Sequence, residues 1–101
     1  MSQVFAKKKV NLNSTQWTAI APPFDCNYIS IKNADSTVDV VIRTDASDSN
    51  TEDVIASGAI ETVSSSFNPD SLFTRFKEGS VVCYVKAASG SSLDIILTFV
   101  R

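Results

Sequence analysis

The stretch SLDIILTFVR, Ser92–Arg101, decides the fold. Its apolar side chains fall at alternate positions, with Leu93, Ile95, Leu97 and Phe99 on one side and Ile96 and Val100 on the other beside Asp94 and Thr98. A period of two belongs to a β-strand, whose successive side chains point to opposite faces. The first side is a core face. The second is half apolar, and the strand itself does not say what covers it.

The same period extends through the chain. VVCYVKA (Val81–Ala87) precedes the terminal stretch across ASGSS, where Gly90 supplies the positive φ of a tight turn, and the two are expected to form a hairpin. A second hairpin is expected between YISIKN (Tyr28–Asn33) and VDVVIR (Val38–Arg43) across Ala34, Asp35, Ser36 and Thr37. Weaker strands read over Gln3–Leu12, Trp17–Ala21 before Pro22 and Pro23, Gly58–Ser66, and Ser71–Phe76 before the turn KEGS. Asp45–Ser57 reads either as one helical turn after a cap at Asn50 or Thr51, or as a loop followed by a strand. About seven or eight short strands at short spacing predict an all-β, two-sheet antiparallel sandwich, with either a jelly-roll or a Greek-key, immunoglobulin-like order. Two hairpins of successive strands favour the second order, because jelly-roll strands cross between sheets.

The chain has 101 residues, enough for one domain with a single core, and no linker or internal repeat divides 1–101. Residues 1–12 read as an N-terminal arm or an edge strand. Composition is that of a globular domain, 44% hydrophobic and 20% charged. A formal charge of −2 gives no general attraction to nucleic acid or an anionic membrane. MSQVFAKKKVNLN lacks a signal peptide's apolar run, and no stretch reaches the roughly twenty apolar residues of a membrane helix. The expectation is a soluble protein made in the cytosol, where Cys26 and Cys83 are expected to stay free thiols rather than a disulfide.

Histidine is absent, which removes Ser-His-Asp and Cys-His catalysis and His-ligated metals. The polar stretch TDASDSNTED offers Asp45, Asp48, Asn50, Glu52 and Asp53 as oxygen ligands, but it fails the EF-hand template at Asn50 and Ala56. It is expected to be a solvated loop, and no catalytic, cofactor or metal residues are assigned. Trp17, Tyr28 and Tyr84 would suit stacking on a sugar, although strand aromatics more commonly serve cores and interfaces. The triplet Lys7, Lys8 and Lys9 would suit an acidic protein surface, or would guard an edge strand against aggregation. With the expected terminal hairpin, Val82, Tyr84, Ile96 and Val100 would form one apolar patch on an outer sheet face, and these four with the three lysines are the candidate partner-binding residues.

The order WTAIAPPFDCNYISIKN, VDVVIRTD, GAIETV and RFKEGSVVCYVKAASGSSLDIILTFVR resembles small β-sandwich virion proteins of tailed bacteriophages. An I-x-I-x-N strand, a V-x-V-x-I-R strand, an F-x-x-G-x-x-V turn and strand, and a Ser-Gly turn into a final apolar strand carry the similarity over residues 17 to 101. In size and architecture it is similar to capsid cement or decoration proteins. The resemblance implies a dimer or trimer on the outside of the assembled head, reinforcing contacts between major capsid subunits, with no enzymatic activity and no small-molecule ligand. A head-completion or tail component and a carbohydrate- or receptor-binding module are the alternatives.

Overall fold

The computed structural model describes residues 5–64, 67–68, 72–73 and 75–101. Among them are ten antiparallel strands: β1 (Phe5–Leu12), β2 (Thr18–Ile20), β3 (Tyr28–Asn33), β4 (Val40–Arg43), β5 (Glu52–Ile55), β6 (Ile60–Ser64), β7 (Phe67–Asn68), β8 (Leu72–Phe73), β9 (Cys83–Ala87) and β10 (Leu93–Val100). A front sheet has the order β1-β10-β3-β6 and a back sheet the order β2-β9-β4-β5; among the described residues β7 and β8 pair with each other. The expected two-sheet antiparallel sandwich is therefore the fold.

Its strand order differs from the one that the sequence favours. Neither expected hairpin exists, since β3 pairs with β10 and β6, and β9 pairs with β2 and β4. With β7 and β8 set aside, the eight remaining strands pair in nested fashion: β1 with β10, β2 with β9, β3 with β6, β4 with β5. That nesting is the jelly roll. Alternation identifies which side chains face a core but not which strand lies alongside. Five or six extended residues span about 15–20 Å, ample for the roughly 10 Å between packed sheets.

The crossovers are held by their own polar groups. Asp35 Oδ2 accepts hydrogen bonds from the N–H groups of Thr37 and Val38 at 2.9 and 2.7 Å, which turns the chain between β3 and β4. Those bonds hold the Asp35 carboxyl below its ordinary pKa. Between β9 and β10, Gly90 takes φ +82° and its carbonyl accepts from both Ser14 N–H and Ser14 Oγ, linking this crossover to the one after β1.

Other local expectations resolve similarly. A short 3₁₀ turn at Ser49–Thr51 is capped by Asp48, and the strand β5 follows at Glu52, so Glu52 and Asp53 begin a strand instead of a helix. In the expected strand Ser71–Phe76, β8 covers Leu72–Phe73, Phe76 bridges to Cys26, and Ser71 and Thr74 lie outside the described residues. Ser65 and Ser66 of the expected Gly58–Ser66 strand also lie outside them.

The core sits between the sheets. Ile29, Ile31, Ile95, Leu97 and Phe99 from the front sheet meet Ile20, Val40, Ile55, Cys83 and Val85 from the back, all buried. Strand β10 is central to the front sheet, between β1 and β3. Its Leu93–Phe99 face closes the core, and its Ile96 and Val100 lie half-buried on the outside.

Cys26 and Cys83 are both buried thiols. Burial pushes Cys83 up to about 11, because a thiolate there would lose its hydration. A folded-state pKa above the unfolded value adds stability below about pH 8.5 that is lost as pH rises through about 11. At pH 8 the native protein is expected to react with a disulfide reagent at least about 100-fold more slowly than a free thiol. Denaturant should release both thiols together, whereas rapid labelling of one thiol in the native state would contradict this burial.

Candidate interaction surfaces

Among the described residues no three Cys, Asp or Glu side chains converge on one point. The aspartates of the Asp45–Asp53 segment each accept from neighbouring residues one or two positions on. Asp45 Oδ1 accepts from Ser47 N–H and Ser47 Oγ, Asp48 Oδ1 from Asn50 N–H, and Asp53 Oδ1 from Val54 N–H. The Ser47 bonds lower the Asp45 pKa, and a hydrogen bond from Glu78 N–H, with Lys77 close by, lowers that of Asp25. Asp45 and Asp25 therefore stay ionised at neutral pH, which matches them poorly to general acid or base work. The described residues also present broad sheet faces and sheet edges.

Strand register orders the front sheet's outer face into rows. One row runs Phe5, Val100, Tyr28, Ser64; the next Lys7, Thr98, Ser30, Thr62; the third Lys9, Ile96, Lys32, Ile60. Phe5, Tyr28 and Ile60 are 54%, 49% and 59% exposed, so three large apolar side chains share one face with half-buried Ile96 and Val100. At the far end Lys9 Nζ lies 3.4 Å from Asp94, which also accepts from Asn11 at 3.0 Å. The Asn11 bond and then Lys9 keep the Asp94 carboxyl below its ordinary pKa. Lys7, Lys9 and Lys32 against Asp94 give this face a net charge of about +2, opposite in sign to the whole chain.

Val82 and Tyr84 lie elsewhere. The expected four-residue patch is split, because β9 is in the back sheet: Tyr84 points out from that sheet and Val82 packs against the core beside it, while Ile96 and Val100 point out from the front sheet. Strand alternation splits the lysine triplet as well. Lys7 and Lys9 are on the outer front face; Lys8, opposite Leu97, turns toward the gap between the sheets. Phe5 and Ile60 escape the sequence reading, and Tyr28 enters it only as a sugar-stacking aromatic, because only the register places them in rows with Val100 and Ile96.

The back sheet's outer face carries Trp17. The guanidinium of Arg43 and the ammonium of Lys86 lie 4.8 and 4.7 Å from the centre of its indole ring. Arg43 is itself fixed, with Nε and Nη2 donating to Glu52 Oε1 at 2.9 and 2.7 Å and Nη1 donating to the Ala46 carbonyl. The ring is thus a stacking partner for cations of its own chain.

Two openings flank the sandwich where its edge strands part. On one side a cavity of about 300 Å³ lies between β1 and β2, lined by Lys8, Lys9, Val10, Thr18, Leu97 and Phe99 among others. On the other a cavity of about 220 Å³ lies between β5 and β6, lined by Ile42, Thr44, Thr51, Asp53, Glu61 and Val63. The first opening is basic and the second acidic.

No family model, curated protein or solved structure matches the chain.

Proposed function

We propose that the chain is a non-enzymatic structural protein of a tailed-phage virion, a cement or decoration protein that binds the outside of the assembled head and reinforces contacts between major capsid subunits. The observation that carries this reading is the outer face of the front sheet, where Phe5, Val100, Tyr28, Ile96 and Ile60 lie exposed or half-buried beside Lys7, Lys9 and Lys32. An apolar sheet face of net positive charge suits a flat protein partner of opposite charge. Covering each such side chain contributes on the order of 1 kcal/mol, and several copies on one shell bind together. A ligand that binds the assembled shell and not the separate subunits stabilises assembly by linkage. The jelly-roll order and the resemblance of residues 17 to 101 support the same reading. The cations stacked on Trp17 weigh against the sugar-binding alternative.

Cosedimentation with heads of the phage that encodes the chain tests the proposal. Wild-type protein is expected to pellet with assembled heads and not to bind unassembled capsid protein. A Tyr28→Ser/Lys32→Glu variant should bind at least about ten-fold more weakly, losing one apolar contact and reversing one charge. Equal binding by that variant would remove this face from the contact. Binding to tails alone would move the protein to the tail.

A further inference from the structure

The two edges of the sandwich fit each other. In the front sheet β1 and β6 are the outer strands, and in the back sheet β2 and β5. Each sheet has four strands, every one antiparallel to the next, so its two edge strands run in opposite directions. A second copy turned about an axis along the strands therefore presents its β1 antiparallel to β6 of the first, and its β2 antiparallel to β5. Both sheets can continue across such a contact with ordinary antiparallel hydrogen bonding.

Charge selects this arrangement over the others. The β1 edge carries Lys7, Lys8 and Lys9, of which Lys9 is paired with Asp94. The opposite edge carries Asp53 on β5 and Glu61 on β6, while the nearby Glu52 is neutralised by Arg43. One edge is thus about +2 and the other about −2. A two-fold contact of β1 with β1 would set lysines against lysines, and one of β6 with β6 would set carboxylates against carboxylates; both are unfavourable. Side-chain parity agrees with the head-to-tail pairing. Lys8 lies opposite inward-facing Leu97 and Glu61 opposite inward-facing Ile31, so both point to the same side of a continued front sheet. Each opening is also lined at its base by core side chains, Leu97 and Phe99 on one side and Ile42 and Val63 on the other.

We infer that the protein associates with further copies of itself head to tail, the basic β1/β2 edge of one against the acidic β5/β6 edge of the next. Such a contact closes into a ring or extends as a row, depending on the angle between copies. The inference concerns this chain alone and stands or falls separately from binding to a capsid.

Light scattering behind size exclusion, over a dilution series of the purified chain, tests it with three variants. Lys8→Glu and Glu61→Lys are each expected to raise the concentration of half-assembly at least about ten-fold by placing like charges across the contact. Lys8→Glu/Glu61→Lys in one chain, which restores opposite charges with the signs exchanged, is expected to recover most of the assembly. Both positions are exposed, and circular dichroism verifies that the variants fold. A wild-type protein that is monomeric at every concentration overturns the inference. So do single variants that assemble like wild type, or a double variant that fails to recover.

Discussion

Phe99→Ala is expected to lower the free energy of unfolding by about 3–5 kcal/mol, whereas Ile96→Ala, three residues away on the same strand, should cost about 1 kcal/mol. Phe99 is only 2% exposed, on the central strand of the front sheet, and it faces the core. Its removal leaves a cavity that neighbours hydrogen-bonded on both sides are poorly able to collapse. Ile96 points the other way, half-buried between Lys9 and Lys32, so its truncation removes contact with little void. Urea titration of both variants measures the contrast. Against a typical total of about 5–15 kcal/mol, the Phe99 loss takes a large share of the stability. Equal costs at the two positions would mean that the outer face of β10 is covered as thoroughly as the inner one.

A comparable loss, about 3 kcal/mol, is expected for Asn33→Leu, although the change makes the core more apolar. Asn33 is fully buried at the end of β3. Its Nδ2 donates to the carbonyls of Val38 and Ile55 at 2.9 and 3.1 Å, and its Oδ1 accepts from Asp35 N–H at 3.0 Å. One amide thereby ties the front sheet to the last residue of β5 in the back sheet and to the crossover between β3 and β4. Leucine satisfies none of these three backbone groups, and each buried group left unpaired costs about 1–3 kcal/mol, part of which water recovers at the crossover. Asn33→Asp should separate polarity from shape. An ionised carboxylate cannot donate and is costly to bury, so its folded-state pKa is raised and the variant's stability should fall as pH rises from 4 to 7. A leucine variant as stable as wild type would show that water reaches these carbonyls.

Strands were the legible part of this fold. β3, β9 and β10 follow from alternation alone, since Ile29 and Ile31, Cys83 and Val85, and Leu93 to Phe99 all turn inward as the period of two requires. Pairing was not legible, because Ala34–Asp39 and Ala88–Ser92 are equally able to turn back within a sheet or cross to the other. The candidate surface inherited that ambiguity. Ile96 and Val100 emerge on an exposed face as expected, yet their neighbours there are Phe5, Tyr28 and Ile60, brought together from three other strands by register. Asn33 reads as a polar strand end, and its partnership with Ile55 becomes visible only when β5 is known to end beside it. The split of the lysine triplet, by contrast, follows from alternation alone.

Nested pairing also sets an order of events during synthesis. Among the described residues β1 pairs along its length with β10 alone, Phe5 opposite Val100. Strand β1 leaves the ribosome first of the ten and waits for a partner that leaves last, so its lysine-rich edge stays unpaired while the rest of the domain is translated. Contacts of such sequence separation close slowly, since the chain must be ordered over most of its length before they are gained. Like charges repelling between nascent copies offer protection during that wait.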